Sequence, residues 1–260
     1  MARLVALRAE PYPRYLRGLE GDLGEKNYAT IAPHFQEGGG CFMAIERDGP
    51  YVWATWLAKL MAGEINCEWA PWFKTHYQKW DRVPSDFNQA AWQMEHTKLS
   101  RDVRSEQEAA SDTVYIENQN TFHWQREGSE LVVGGKPDIV SIGTNLVTVI
   151  DCKTGQPKAS DQIQVMIYMY CLPQEAPVYR DHILNGRLVY SGHRVDIPEA
   201  AIDAKFEQQF NYFLDILDSP NPAVRVPSAG ECRYCDITKA DCPDRIEVSD
   251  DAKAGDEAWA

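Results

Sequence analysis

Two short acidic motifs near the middle of the chain are spaced as a metal site would need them. Asp138 follows a proline, and thirteen residues later Asp151, Cys152 and Lys153 end a run rich in valine and isoleucine. Alternate side chains of a strand point to the same face, so we expect Asp151 and Lys153 to lie together while Cys152 points into the core. A hairpin between the two aspartates would join both carboxylates and the Cys152 carbonyl into a hard oxygen site for Mg²⁺ or Mn²⁺.

A helix predicted just after this motif contributes two more polar side chains. Gln164 and Tyr168 are four residues apart, so they share one helical face, opposite to that of Ile163 and Ile167. The acidic motif alone could be a strand pair with ordinary surface acids and a lysine, as in many unrelated proteins. The polar helix that follows it favours a catalytic constellation.

This combination resembles the RecB-like nucleases of the PD-(D/E)XK superfamily, in which a D-x-K strand is followed by a helix bearing Q-x-x-x-Y. Those nucleases also carry a histidine on a helix upstream of the first aspartate, and His96 stands at the corresponding place in this sequence. The resemblance implies that His96, Asp138, Asp151 and the carbonyl of Cys152 bind the divalent metal.

The same resemblance implies roles for the remaining polar residues. Lys153 would orient or help deprotonate the attacking water and would stabilise the charge that builds on the phosphate. Gln164 and Tyr168 would position Lys153 or the DNA strand. Phosphodiester hydrolysis at neutral pH needs both a hydroxide and a countercharge at the transition state, and this set of residues could supply them.

The cysteines form a second group that could do chemistry. Three of the seven lie close together near the C-terminal end: Cys232, Cys235 and Cys242. Three thiolates in one loop suit zinc or an iron–sulfur cluster, and both prefer a fourth thiolate. Cys152 lies inside the D-x-K strand and Cys171 is expected to face outward from the Gln164 helix, so neither fits that role. Cys41 and Cys67 remain as candidates for the fourth ligand.

The order of the cysteines resembles that of RecB-like nucleases with an iron–sulfur cluster, which include the fourth CRISPR-associated protein and the nuclease domain of AddB. In that group, one cysteine with aromatic neighbours precedes the nuclease core and three clustered cysteines follow it, and residues 53–243 reproduce this order. The resemblance implies a 4Fe–4S cluster on Cys67, Cys232, Cys235 and Cys242. The spacing before Cys242 is slightly wider than the family pattern.

The charge of the chain is unusual for a protein that binds nucleic acid. The formal net charge is −13, and residues 241–260 hold seven acids against two bases. Affinity for phosphate backbones comes largely from Lys and Arg, so this balance argues against tight non-specific DNA binding. Basic residues do gather in one stretch: Lys74, Lys79, Arg82, Lys98, Arg101 and Arg104. We interpret residues 246–260 as a solvated acidic tail.

The sequence gives no indication of a membrane-bound or exported protein. It contains no apolar run of the roughly 18 residues that a spanning helix requires. The first residues also lack the uninterrupted apolar core of a secretory signal. We therefore expect a cytoplasmic protein with no membrane partner.

The elements around these motifs change from helical to strand periodicity and back. The pattern predicts a hairpin turning at Asp48-Gly49, a helix from Trp53 that stops at Gly63, and helices over 67–110 broken near Pro84. Three β-rich runs follow over 121–127, 131–142 and 145–153. A helix near 160–172, strands near 187–197 and a helix over 202–217 complete the series.

This order predicts an α/β fold. By the resemblance, it is a restriction-endonuclease-like αβββαβ core at about 100–220, with added helices and an iron–sulfur cluster staple. We expect an N-terminal extension at 1–52, a nuclease domain at 53–245 that includes an iron–sulfur loop at 228–245, and the tail.

The expected function is metal-dependent cleavage of DNA, with exonuclease action on single-stranded or frayed ends. The setting would be CRISPR adaptation, recombination and repair, or phage DNA metabolism. Strand separation would come from a partner, and a helicase or CRISPR integrase is the expected partner. Two alternatives stay open. One is a catalytically silent DNA-binding protein with a structural cluster, and the other is a zinc-bound interaction module.

Overall fold

The computed structural model describes residues 44–85, 87–110 and 113–247. The helices are α1 (Ala54–Met61), α2 (Trp69–His76), α3 (Gln89–Ala109), α4 (Ala159–Glu175), α5 (Ala204–Asp218) and α6 (Ala229–Arg233). The strands are β1 (Ile45–Glu46), β2 (Tyr51–Trp53), β3 (Tyr77–Gln78), β4 (Thr113–Ile116), β5 (Phe122–Gln125), β6 (Val132–Gly135), β7 (Ile139–Ile142), β8 (Leu146–Lys153), β9 (Ile183–Tyr190) and β10 (His193–Ile197). The predicted α/β class is confirmed.

A five-stranded sheet in the order β10-β9-β8-β7-β4 forms the centre of the domain. Strands β8 and β9 are parallel and are connected through α4, whereas the other neighbours are antiparallel. Strand β8 is buried along most of its length because both faces are covered. Ile150 and Cys152 pack on one face with Val103 of α3, and Val147 and Val149 belong to the larger core on the other. Cys152 therefore points into the core, as predicted.

The run 131–142, predicted as one strand, is two strands in different sheets. Strand β6 joins a three-stranded sheet in the order β2-β6-β5, while β7 belongs to the central sheet. The break falls at Lys136-Pro137, where proline fixes the backbone and cannot donate to a strand ladder. The Asn120 amide donates to the carbonyls of Pro137 and Tyr115 at 3.3 and 3.0 Å, and this contact holds the break in place.

The predicted hairpin at Asp48-Gly49 is wrong. The strands on either side of that turn do exist, but β1 pairs with β3 and β2 runs parallel to β6. The chain bends at Asp48-Gly49, but the two flanking strands pair with distant segments in different sheets. The rest of the 1–52 extension up to residue 43, and the acidic tail from residue 248, lie outside the described residues.

Several predicted helices are confirmed, with one error of orientation. Helix α1 is followed by Gly63 at φ +70°, a left-handed conformation that favours glycine at a helix end. Cys171 was expected to face outward from α4, but its side chain is fully buried. The reason is that α4 is packed between the central sheet, β5 and α1, which leaves little of the helix facing solvent. Among the described residues, no helix is long and apolar enough to cross a membrane.

Candidate active site

The hairpin of β7 and β8 brings the two predicted aspartates to the same end of the central sheet. Ile139 pairs with Ile150 across the hairpin, so Asp138 and Asp151 lie at adjacent positions on neighbouring strands. The carboxylate of Asp138 accepts the backbone N–H of Cys152 at 2.7 Å. This hydrogen bond fixes Asp138 beside the D-x-K motif.

His96 also reaches this site, from α3. Its Nε2 lies 3.2 Å from Oδ2 of Asp138, 42 residues further along the chain. The hydrogen bond to Asp138 raises the pKa of His96. The structure therefore places His96 in contact with Asp138.

Lys153 lies at the centre of a polar network on the α4 side of the sheet. Its Nζ is 2.7 Å from Oδ2 of Asp151 and donates to Oε1 of Gln164 at 3.0 Å. The amide of Gln164 donates in turn to the hydroxyl of Tyr168, which also hydrogen-bonds the backbone of Lys136. Gln164 and Tyr168 thus connect Lys153 to the loop that carries Asp138.

Two residues of this network were not found from the sequence. Oδ1 of Asp161 lies 3.8 Å from Lys153 Nζ, and its Oδ2 accepts the hydroxyl of Tyr190 at 2.8 Å. Asp161 precedes Gln164 by three residues, so its position on the same helical face was readable. Tyr190 pairs with Lys153 across the parallel strands β8 and β9. That register is set by tertiary packing and leaves no mark in the local sequence.

Burial and neighbouring charges shift the pKa values of Asp151 and Lys153. Burial of the Asp151 carboxyl raises its pKa to about 6. The negative charge of the nearby Asp138 acts in the same direction, and Lys153 acts against both. Burial would lower the pKa of Lys153, but the carboxylates of Asp151, Asp161 and Asp138 outweigh it and raise that pKa. Lys153 therefore stays protonated at neutral pH and acts as a cation and hydrogen-bond donor.

Asp161 should act as a positioning residue for Lys153. Because its carboxylate helps to hold the lysine protonated, Asp161→Asn should lower turnover about tenfold and move the alkaline limb of the pH–rate profile to lower pH. Asp203 is a matched control because each of the two aspartates accepts a backbone N–H at the start of a helix. Asp203 accepts that of Phe206 in α5, and Asp161 accepts that of Lys158 before α4. Asp203→Asn should leave the profile unchanged. A loss of rate with an unshifted profile in the Asp161 variant would mean that Asp161 only supports the helix.

The carboxylate and carbonyl oxygens of this site are donors that a hard divalent cation binds, although the side chains do not form a complete coordination sphere. Within the described ranges, no three His, Cys, Asp or Glu side chains form a group that could hold a metal ion. The carboxylates of Asp138 and Asp151 and the carbonyl of Cys152 are nevertheless neighbours, and such oxygens are the ligands that Mg²⁺ and Mn²⁺ prefer. These two residues and the Cys152 carbonyl, with His96 beside them, could therefore hold the cation.

The four cysteines of the predicted cluster line one cavity of about 650 Å³. They are Cys67, Cys232, Cys235 and Cys242, and all four are free thiols. The Sγ of Cys67 accepts the Val226 N–H at 3.5 Å, and the Sγ of Cys232 accepts the Ile246 N–H at 3.4 Å. The four sulfur atoms are not positioned to coordinate one metal ion. Four cysteine side chains that line one cavity are nevertheless the donor set that a zinc ion or an iron–sulfur cluster binds.

Protein contacts hold the C-terminal cysteine segment against the start of α2. The carboxylate of Glu231 accepts the backbone and side-chain N–H groups of Asn66 at 3.0 and 2.7 Å, across 165 residues of chain. The backbone of Trp69 donates to Val224 at 3.1 Å, and Lys74 forms an ion pair with Asp236. The two ends of the domain therefore meet through several contacts besides the cysteines.

The fold is consistent with the restriction-endonuclease-like class. The chain belongs to the PD-(D/E)XK nuclease superfamily, whose family model matches residues 54–242. Members of this superfamily generally use Mg²⁺ or Mn²⁺. No curated protein matches the sequence. Among solved structures, the crystal structure of SSO0001 is similar, with 15% identity, a TM-score of 0.42, and coverage of 77% of this chain and 90% of that chain.

Proposed function

We propose that the chain is a metal-dependent deoxyribonuclease that acts on single-stranded or frayed DNA ends. One observation carries the proposal: Asp138, Asp151 and Lys153 meet at the end of one hairpin, with the lysine 2.7 Å from Asp151. Surface acids on an ordinary strand pair would not need to be buried beside each other and a lysine. Such an arrangement costs stability, and proteins tolerate that cost chiefly at functional sites.

In this proposal, His96, Asp138, Asp151 and the Cys152 carbonyl hold Mg²⁺ or Mn²⁺. When bound, such a cation would supply Lewis-acid chemistry, which lowers the pKa of a water molecule and offsets charge on the phosphate. Oδ2 of Asp138 accepts the Cys152 N–H and also lies 3.2 Å from Nε2 of His96. These contacts hold His96, Asp138 and the Cys152 backbone beside one another.

Lys153 has a cationic role in this scheme. Its raised pKa means that it donates hydrogen bonds and does not abstract a proton at neutral pH. It would orient the attacking water and neutralise charge that develops on the phosphate oxygens. Gln164, supported by Tyr168, fixes the ammonium group in position.

The cysteine cavity is proposed to hold a 4Fe–4S cluster on Cys67, Cys232, Cys235 and Cys242. The support is that these four thiols line one cavity although the first is far from the others in sequence. The cluster would act as a staple between the two ends of the domain. A helicase or CRISPR integrase is proposed as the partner, in CRISPR adaptation, recombination and repair, or phage DNA metabolism.

End-labelled DNA provides the direct test of this function. Anaerobically purified protein should shorten single-stranded and frayed substrates with Mg²⁺ or Mn²⁺, and should leave them intact with EDTA. Covalently closed circular DNA should survive if cleavage starts from ends. Lys153→Ala should reduce the rate about 100- to 1,000-fold while metal binding, measured by calorimetry, is kept. The proposal fails if wild-type protein with either metal leaves every linear substrate intact.

A further inference from the structure

The N-terminal half of α3 extends beyond the core that supports its other half. An apolar stripe runs along the helix at Trp92, His96, Leu99 and Val103, which lie on one helical face. Val103 is buried against the sheet, Leu99 and His96 are half-buried, and Trp92 is 41% exposed. The stripe therefore continues past the edge of the sheet and ends as an exposed indole.

This exposed indole is next to the proposed metal ligands. The ring of Trp92 stacks on that of His96 with centroids 5.1 Å apart and an interplanar angle of 28°. Phe87, 62% exposed, lies beside it at 6.2 Å between centroids. Since His96 contacts Asp138, a continuous row of rings leads from solvent to the carboxylate pair.

The charges of the protein make an aromatic contact to DNA useful here. The formal net charge is −13. Within the predicted basic stretch, Lys74 and Arg82 pair with Asp236, Lys98 with Asp102 and Arg104 with Glu108. These pairs leave less positive charge for phosphates. Stacking on an aromatic ring holds a base without relying on phosphate charge, and each stacked base contributes roughly 5- to 150-fold in affinity.

We infer that Trp92, with Phe87 at its side, is a stacking surface for an unpaired nucleobase next to the scissile phosphate. The inference rests on the proposed nuclease function and adds a reason for the preference for single-stranded or frayed ends. A paired base inside a duplex is covered on both faces by its neighbours, so only an unpaired base can present a face to Trp92.

The test measures whether Trp92 recognises the base itself. Full-length protein is titrated, without divalent metal, against a labelled oligothymidine and against a matched oligonucleotide whose nucleotides are abasic. Wild-type protein should bind the oligothymidine about tenfold more tightly than the abasic strand. Trp92→Ala should lose most of that difference while its affinity for the abasic strand is kept. The difference should persist between about 50 and 200 mM salt, because stacking releases few counterions.

Two further variants and a duplex serve as controls. Trp92→Phe retains a ring and should keep most of the base dependence. Tyr212→Ala removes an aromatic side chain that is 56% exposed on α5 and should change neither affinity. Binding to a blunt duplex should be insensitive to Trp92→Ala.

The possible outcomes separate this inference from the proposed catalysis. Equal loss of affinity for both strands in Trp92→Ala, or a lower melting temperature with unchanged base dependence, would show that Trp92 supports His96 or covers another part of the chain, and would overturn the inference. Cleavage by wild-type protein without any base dependence would overturn the stacking surface alone. Base-dependent binding without cleavage in Mg²⁺ or Mn²⁺ would overturn the nuclease proposal alone.

Discussion

Asp138→Asn and Asp151→Asn should each abolish DNA cleavage, lowering the rate by at least about a thousandfold, while the protein stays folded. Each change removes an anionic ligand from the proposed cation site but keeps the size of the side chain. The asparagine at 138 can still accept the Cys152 N–H through its carbonyl oxygen. Cleavage of end-labelled DNA and metal binding by calorimetry are the measurements. More than a few per cent of wild-type activity in both variants would exclude this pair as the catalytic centre.

Asp151→Asn should also stabilise the metal-free protein. The pKa of Asp151 is raised to about 6 by burial and by Asp138, so its ionised form is less favourable in the folded chain than in the unfolded one. This destabilisation is absent below the unfolded pKa of about 3.9, grows as pH rises through about 6 and then stays constant. The melting temperature of Asp151→Asn should therefore exceed that of wild type at pH 8, and the gain should shrink at pH 5.

A matched acid far from the site controls this stability comparison. Unlike the buried Asp151 of strand β8, Asp203 is exposed and lies at the N-terminal end of α5. Asp203→Asn should give no pH-dependent rise in melting temperature. If Asp151→Asn instead melts lower than wild type at pH 8, the ion pair with Lys153 outweighs the burial of the carboxylate, and Asp151 is then a structural partner of the lysine.

The contacts of this site that the sequence predicts are those between residues close together in the chain. Strand alternation is local, and it was enough to place Asp151 and Lys153 on one face. Helix periodicity placed Gln164 and Tyr168 together in the same way. His96 came only from the family resemblance, because no local rule connects a helix to an aspartate 42 residues away.

The errors arose where long-range packing decided the outcome. Asp48-Gly49 is a local turn signal, but the partners of β1 and β2 are distant strands. The outward orientation expected for Cys171 is wrong because α1 and β5, which are distant in the sequence, cover α4 on its second side. Tyr190 entered the network through the register of a parallel strand pair. Local sequence constrains such contacts weakly, since several registers bury the same apolar residues.

Cys235→Ser should give a colourless protein that melts about 10 °C lower than wild type and is cut by proteases near both ends. A cluster ligated by Cys67 and the C-terminal cysteines would close a loop longer than 160 residues, as the 165-residue separation of the neighbouring Asn66–Glu231 pair indicates. Cross-links over long loops restrict the unfolded chain most, and metal–thiolate binding is coupled to folding. Iron content, visible absorbance and thermal melting under anaerobic conditions are the measurements.

The fourth ligand can be identified with the same measurements. Cys67→Ser should lose or destabilise the cluster, as Cys235→Ser does, because Cys67 lines the same cavity as the C-terminal three. Cys41, which lies outside the described residues, supplies the matched control, and Cys41→Ser should keep a full iron content. A full iron content in Cys67→Ser with loss in Cys41→Ser would move the fourth ligand into the N-terminal extension. Zinc in place of iron in the wild-type protein would exclude the iron–sulfur cluster.

The activity of Cys235→Ser distinguishes a staple from a part of the catalytic machinery. Glu64 lines the cysteine cavity and also accepts the backbone N–H and hydroxyl of Ser160, at the start of the helix that carries Gln164. Through this contact, loosening of the cavity would disturb the start of α4, and this would lower stability and displace Lys153 together. Nuclease activity should therefore fall in step with the folded fraction. A variant as stable as wild type but inactive would mean that the cluster takes part in DNA handling directly.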